Sequence, residues 1–125
     1  MARILIAEDE EALCALCARA LATDGHDVRT AADGAEALDI LTREQGQFDL
    51  LLTDVRMPLM DGIALALAAA RDFPSVTVLL MTGYADQRER AHGLEALIYD
   101  VIAKPFTLAT LRQTVGEALT VKANA

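Results

Sequence analysis

Several features that define whole classes of protein are missing or rare in this sequence. Its 125 residues include no tryptophan, and no apolar run approaches the ~18 residues that a membrane span needs. The amino-terminal segment lacks the long apolar stretch and the cleavage site of a signal peptide. We therefore expect a soluble, cytoplasmic protein that has no contact with a membrane.

Basic residues are also scarce, and they form no cluster. The chain has 11 lysines and arginines against 19 aspartates and glutamates, which gives a formal net charge of −8 at pH 7. Proteins that bind DNA or RNA need a basic surface that displaces the counterions of the phosphate backbone. The charge balance therefore argues against nucleic acid as a partner.

Cysteine and histidine are each present only twice. Cys14 and Cys17 form a C-A-L-C motif, which could be a redox or metal site, but they lie inside a helical pattern of apolar residues. The only histidines are His26 and His92, so a second pair of metal ligands is missing. We interpret the two cysteines as reduced thiols packed on a helix.

Apolar residues, in contrast, make up 54% of the chain, enough for one core in one domain. Short apolar runs predict five strands, at residues 3–7, 28–31, 48–53, 76–81 and 98–103. Helical spacing predicts five helices, at about 11–23, 35–44, 63–72, 86–94 and 107–120. We predict one domain over residues 1–120 and a flexible tail over residues 121–125.

Strands that alternate with helices of about ten residues indicate βαβ units and a parallel sheet. The first, third and fourth predicted strands are nearly continuous in valine, isoleucine and leucine, as in parallel strands covered on both faces. The fold class is therefore α/β, with a doubly wound, five-stranded parallel sheet and five helices. Such sheets bind ligands beyond the carboxyl ends of their strands.

Reactive side chains follow four of the five predicted strands. In chain order they are Glu8, Asp9 and Glu10, then Asp54, then Thr82, and finally Lys104. If these four strands are neighbours, the side chains converge on one pocket. Two carboxylates ~4 Å apart repel by about 4 kcal/mol at an effective dielectric constant near 20, so one is protonated or a cation lies between them. Mg²⁺ suits such an oxygen cluster, and a lysine with a hydroxyl would complete a cradle for a phosphoryl group.

Four short segments resemble the receiver domain of two-component response regulators, over roughly residues 2 to 120. They are A-E-D-E (7–10), T-D-V-R-M-P-L-M-D-G (53–62), M-T-G-Y (81–84) and K-P-F-T (104–107). The resemblance implies the flavodoxin-like receiver fold with strand order 2-1-3-4-5. It also implies a phosphoprotein of phosphorelay signal transduction that assists its own phosphorylation and dephosphorylation but is not otherwise an enzyme.

The resemblance assigns a role to each residue of the predicted pocket. Asp54 corresponds to the phosphoacceptor, which takes a phosphoryl group from a histidine kinase or a histidine phosphotransfer protein. The implied Mg²⁺ ligands are Asp9, Asp54 and the backbone carbonyl of Arg56, with Glu8 acting through water. The implied phosphate-binding residues are Lys104, Thr82 and Gly83. The residues implied to shape the loops are Pro58, Gly62 and Pro105, the last after a cis peptide bond.

Two positions depart from the pattern of the family. The switch position three residues before the lysine usually holds tyrosine or phenylalanine, but here it is Val101. We hypothesise that Tyr84 reports the state of Thr82 instead; an exposed loop tyrosine is the alternative. The second departure is Arg56, a long cation beside the site, which either alters the lifetime of the acyl phosphate or points into solvent.

We expect the output to be a protein contact, because the chain stops soon after the last predicted helix and no effector domain follows. The implied contact face spans the fourth helix, fifth strand and fifth helix, with Arg88, Arg90, His92, Tyr99 and Arg112. Eight apolar residues at 63–70 would either pack tightly or form a second contact surface for a weak dimer.

The segments G-I-A-L-A-L-A-A-A-R-D-F-P and M-T-G-Y-A-D-Q-R-E-R-A are similar to those of CpdR-type single-domain receivers of alphaproteobacteria. This resemblance implies a protease adaptor that primes ClpXP through ClpX when it is unphosphorylated. A phosphorelay intermediate or phosphate sink is the alternative function. A phosphatase with an aspartate nucleophile would need a second aspartate where Arg56 stands.

Overall fold

Five strands and four helices make up the part of the chain that the computed structural model describes, residues 2 to 83 and 93 to 123. The strands are β1 (Arg3–Ala7), β2 (Asp27–Ala31), β3 (Leu50–Asp54), β4 (Thr77–Thr82) and β5 (Asp100–Ala103). The helices are α1 (Glu11–Thr23), α2 (Gly34–Arg43), α3 (Gly62–Asp72) and α4 (Leu108–Ala123). Most of the helix predicted at 86–94 lies outside the described residues.

The strands form one parallel sheet in the order β2-β1-β3-β4-β5. The central strand, β3, pairs with β1 on one side and β4 on the other, and Leu51 stands opposite both Leu5 and Val78. From β1, the chain adds β2 on one side and then β3 on the other, so the strand order reverses between β1 and β3. Sheets of this type open a crevice at their carboxyl ends at such a point. The predicted fold class and strand order are confirmed.

The core lies on both faces of the sheet. Alternate residues of each strand point to opposite faces, so Leu51 packs with α2 and α3, whereas its neighbours Leu50 and Leu52 pack with α1 and α4. All five residues of β3 are buried. This burial on both faces explains why the sequence of β3 is a continuous apolar run.

Three predicted elements differ from the structure by two residues or more at one end, and one of them is β5, which begins at Asp100 rather than at residue 98. Residues 121 to 123, predicted as flexible tail, are the last residues of α4, and the Lys122 ammonium donates to the backbone oxygen of Ser75. The third strand begins at Leu50 rather than Phe48, because the Phe48 N–H donates to Gly46 in the preceding turn. The prediction for residues 124 and 125 falls outside the described residues.

The two cysteines lie on the buried side of α1, as predicted. Cys14 is 9% exposed and Cys17 is fully buried, and both are free thiols. Burial, with smaller contributions from Cys14 and Glu8, raises the pKa of Cys17 to about 11. The thiol is therefore protonated at neutral pH and a poor nucleophile or metal ligand. Among the described residues, no helix is long and apolar enough to cross a membrane.

Candidate functional site

A lysine joins two carboxylates at the carboxyl edge of the sheet. Glu8 follows β1, Asp54 ends β3 and Lys104 follows β5. The Lys104 Nζ atom donates to Glu8 Oε1 at 2.7 Å and to Asp54 Oδ2 at 3.0 Å. Groups separated by 96 and 50 residues along the chain therefore meet at one point.

Asp9 completes a group of three carboxylates. One oxygen from each of Glu8, Asp9 and Asp54 lies within 4.8 Å of the others. Glu8 and Asp54 are only 2% and 6% exposed, whereas Asp9 faces solvent. The second oxygen of Glu8 accepts the backbone N–H of Glu10 at 3.2 Å. The site therefore has a buried, hydrogen-bonded floor and one exposed carboxylate at its mouth.

The charges at this site are out of balance. Three carboxylates face one ammonium, which leaves an excess of two formal negative charges (3 − 1 = 2) within the group. Partial desolvation and a hydrogen bond with Glu8 raise the pKa of Asp9. Burial lowers the pKa of Lys104, but the hydrogen bonds to Glu8 and Asp54 outweigh it and raise the pKa overall. Lys104 is therefore charged at neutral pH, and the carboxylates still favour a further cation.

The donor set fits Mg²⁺. This ion prefers oxygen ligands, and proteins usually bind it through one or two carboxylates while it keeps several waters. Glu8, Asp9 and Asp54 supply carboxylate oxygens that are close together, and the exposure of Asp9 leaves the approach from solvent open. A divalent cation would also offset the two excess negative charges.

The loop after β3 folds back closely over Asp54. A Cβ atom on Gly62 would lie 2.0 Å from the backbone oxygen of Asp54, so no other residue fits there without displacing the backbone. The Gly62 N–H donates to the oxygen of Val55 at 2.7 Å, and Asp61 caps α3 by accepting the Ala64 N–H at 2.8 Å. The start of α3 therefore holds the backbone of Asp54 in place.

A cavity of about 570 Å³ opens over the three carboxylates. Arg56 and Gly83 line its rim, and Leu13, Pro105 and Phe106 form an apolar wall. The sequence analysis gave neither Leu13 nor Phe106 a role at the site. The position of Phe106 two residues after Lys104 was the available signal, but only the fold shows that both side chains border the site.

The other phosphate-binding and loop residues predicted from the resemblance differ in their burial and in their distance from the cavity. Thr82 is 2% exposed and does not line the cavity, although its backbone oxygen accepts the Lys104 N–H at 2.7 Å. A Cβ atom on Gly83 would lie 4.0 Å from Lys104 Cδ, in ordinary contact. Pro58 is exposed on the loop, and the bond before Pro105 is cis.

The predicted switch and contact residues are only partly described. Val101 is partly buried against the core on the α2 and α3 side, and Tyr99 packs on the opposite side. Arg112 is exposed on α4 and pairs with Asp24. The remaining predicted residues, Tyr84, Arg88, Arg90 and His92, lie outside the described residues.

Four of the eight residues in the apolar run at 63–70 are buried. Leu65, Ala66, Ala68 and Ala69 are buried, and Leu67 is 46% exposed. Tight packing therefore accounts for four of the eight residues, Ala64 and Leu67 are exposed, and the second contact surface stays a prediction.

The response regulator receiver domain matches residues 4–116 of the chain. The chain belongs to this family of phosphoacceptor signalling domains, which bind Mg²⁺ at an acidic pocket. A receiver domain protein of Methanospirillum hungatei has a solved structure with a TM-score of 0.88 and 30% identity, and the match covers 98% of this chain and 96% of that one.

Two curated relatives are longer proteins. The sensor kinase CckA of Brucella abortus is 35% identical over 118 residues, which is 94% of this chain and 12% of that protein. The transcriptional regulatory protein TcrA of Mycobacterium tuberculosis is 37% identical over 109 residues, 87% of this chain and 42% of that protein. The chain therefore spans less than half the length of these relatives.

Proposed function

We propose that this cytoplasmic receiver accepts a phosphoryl group on Asp54 from a phosphohistidine of a partner protein. The observation that carries the proposal is the position of Asp54, which lies at the end of a buried strand with Lys104 Nζ at 3.0 Å and Asp9 beside it. A rigid carboxylate with a cation next to it can attack an anionic phosphoryl group, because the cation offsets the developing charge.

The transfer moves one phosphoryl group between two proteins. A carboxylate oxygen of Asp54 attacks phosphorus, the new O–P bond forms and the N–P bond to the donor histidine breaks. The imidazole nitrogen leaves with the bonding electron pair and takes a proton, so it ends neutral. Asp54 becomes an acyl phosphate, and Lys104 pairs with one of the phosphoryl oxygens.

The proposed roles of the cation-binding residues come from the family resemblance, and the closeness of the Glu8, Asp9 and Asp54 carboxylates supports them. Asp9, Asp54 and the backbone carbonyl of Arg56 would hold Mg²⁺, with Glu8 acting through a bound water. The ion, when bound, neutralises charge on the phosphoryl oxygens. Asp9 is exposed, so a cation from solvent would reach its carboxylate first. The hydrogen bond from the Glu10 N–H fixes the orientation of the Glu8 carboxylate.

Thr82, the last residue of β4, and Gly83, which follows it, would contact the phosphoryl group once Asp54 carries it. Gly83 lines the cavity and has no side chain to crowd a phosphoryl oxygen. Thr82 is buried beneath it, so its hydroxyl would have to turn toward the cavity to donate a hydrogen bond. Thr82→Ala should therefore alter the response to phosphorylation more than its rate.

The acceptor assignment is tested by labelling with a phosphorylated histidine kinase or with phosphoramidate. Asp54→Asn should lose the label, which mass spectrometry reads as one added phosphoryl group. Asp39→Asn is the matched control, since Asp39 is exposed on α2 and pairs with Arg43 in its own helix. Labelling of Asp54→Asn at the wild-type level would refute the assignment.

For the output, we propose a CpdR-type adaptor that contacts ClpX when Asp54 is unphosphorylated. The two segments quoted above support it, together with the absence of an aromatic residue at Val101. A phosphorelay intermediate or phosphate sink is the second candidate, favoured by the 35% identity to the sensor kinase CckA. Under either reading, a histidine kinase or a histidine phosphotransfer protein supplies the phosphoryl group.

Binding and exchange measurements separate the two outputs. An adaptor should bind purified ClpX as the unmodified protein and as Asp54→Ala, and beryllofluoride with Mg²⁺ should weaken binding of the unmodified protein alone. A relay protein should instead exchange label in both directions with a histidine phosphotransfer protein. Fast two-way exchange without any binding of ClpX would contradict the adaptor.

A further inference from the structure

A second cavity lies next to the acidic one, between β5 and α4. It has a volume of about 370 Å³, and its lining includes all four residues of Asp100–Ala103 together with Thr110 and Thr114 of α4. Pro105 and Phe106 line both this cavity and the one over the carboxylates. These two residues are therefore the wall between the two cavities.

The segment that forms this wall is tied at both ends. At one end, the Lys104 side chain bridges Glu8 and Asp54, and its N–H donates to the backbone of Thr82 at 2.7 Å. At the other end, the Thr107 hydroxyl accepts the Thr110 N–H at 3.0 Å and so caps α4. Only two residues therefore separate Lys104 from Thr107, the residue that caps α4.

Phe106 is the member of the wall that can turn. Pro105 has a closed ring, whereas the Phe106 side chain rotates about two bonds and is only partly buried, against the core beside α1 and α4. Val101, in the second cavity, packs on the other core and is stiff at its branched Cβ. The aromatic ring of Phe106 is large enough that its rotation would change the shape of both cavities.

We propose that Phe106 couples the phosphorylation state of Asp54 to the shape of the cavity between β5 and α4. When Lys104 leaves Glu8 for a phosphoryl oxygen, the Phe106 ring shifts and the surface formed by Val101, Thr110 and Thr114 changes. This inference rests on the proposed function of Asp54. Phe106 would then act as the aromatic switch residue, since the usual switch position holds Val101, which has no ring.

Fluorine NMR on the full chain tests the ring directly. The chain has three phenylalanines, so fluorophenylalanine labelling gives three resonances that Phe→Leu variants assign. Beryllofluoride with Mg²⁺ mimics the phosphoryl group. It should shift the Phe106 resonance and leave Phe48 and Phe73, which lie at the other end of the sheet, unchanged. The Gly83 amide reports whether beryllofluoride has bound at the acidic site.

Methyl signals of Val101, Thr110 and Thr114 give the second readout. Their shifts on addition of beryllofluoride should be lost in Phe106→Leu and kept in Leu108→Ala, a control beside the wall that lines neither cavity. If Gly83 responds while the Phe106 resonance stays still, or the methyl shifts survive in Phe106→Leu, the coupling is wrong. If Gly83 does not respond either, the proposed function fails first and the coupling with it.

Discussion

At the scale of single residues, the site depends on a cation held between buried acids. Glu8 and Asp54 are almost completely buried, and Lys104 contacts both. Removing one partner of such a group leaves an uncompensated buried charge, which destabilises a protein more than the intact pair stabilises it. Lys104 therefore has a structural role that is separate from any contact with phosphate.

Lys104→Met should lower the free energy of unfolding by about 1 to 3 kcal/mol in the absence of divalent cations, because Glu8 and Asp54 then repel each other. Mg²⁺ should restore part of this loss, so the variant should gain more stability from Mg²⁺ than the unmodified protein does. Urea unfolding in EDTA and in MgCl₂ measures both. Lys122→Met, which removes a lysine at the other end of the sheet, should respond to Mg²⁺ as the unmodified protein does, and equal responses of all three proteins would contradict the prediction.

Gly62→Ala is expected to destabilise the domain by about 2 to 5 kcal/mol, because the new methyl group would overlap the backbone of Asp54. It should also slow phosphorylation, since the carboxylate of Asp54, the proposed acceptor, would shift. Gly116→Ala is the matched control: a Cβ atom there meets nothing within 4 Å, and alanine should stabilise α4 by about 1 kcal/mol. Thermal unfolding compares the two, and a neutral Gly62→Ala would show that the loop can move away from β3.

At the scale of elements, an ion pair joins α1 and α4, the two helices on one face of the sheet. The carboxylate of Asp24, at the end of α1, accepts hydrogen bonds from the Arg112 guanidinium of α4, with Nε 3.1 Å and 3.0 Å from its two oxygens. The hydrogen bond from Arg112 lowers the pKa of Asp24. The contribution of this pair to the stability of the fold therefore depends on pH.

The sign of this dependence follows from the lowered pKa. Asp24 stabilises the fold above its unfolded pKa, close to the ordinary value of 3.8, and the contribution is lost as the pH falls through the lower folded value. Asp24→Asn and Arg112→Ala should therefore be less stable than the unmodified protein at pH 7, and the differences should vanish in strong acid. Unfolding curves from pH 7 down to pH 2 test this, with Asp39→Asn as the control. A difference that persists in acid would assign the effect to packing instead.

At the scale of the whole molecule, one sheet separates two cores and holds the site at its carboxyl edge. The α1 and α4 core encloses both thiols, and the other core lies under α2 and α3. Because the site spans β1, β3 and β5, its geometry exists only when the whole sheet is assembled. Loss of the fold and loss of the proposed acceptor site should therefore occur together.

The thiols report this cooperative unfolding. Cys14 and Cys17 should react with a maleimide only when the domain opens, since both are buried and the pKa of Cys17 is about 11. Their labelling rate should rise with urea along the same transition as the circular dichroism signal. Ala22→Cys adds an exposed thiol on the same helix and should label at once. Rapid labelling of Cys14 and Cys17 in native buffer would show that α1 opens locally.

Much of the site was predictable because parallel strands bring the residues at their carboxyl ends together. Glu8, Asp54 and Lys104 each follow a strand that the apolar pattern located to within three residues at either end. The strand order came from the family resemblance, since apolar runs carry no information about which strands are neighbours. Phe106 escaped notice because its role as a wall depends on two cavities that exist only in three dimensions.

The sequence by itself determined the class of fold, the presence of one apolar core-forming domain and the identities of the acidic, basic and hydroxyl residues at the strand ends. These are local properties, set by the period of apolar residues and by charge. Only the tertiary structure decided that Lys104 bridges Glu8 and Asp54 while Thr82 stays buried beneath the cavity. Those relations depend on distances between residues far apart in the chain, which are set by how the helices pack on the sheet.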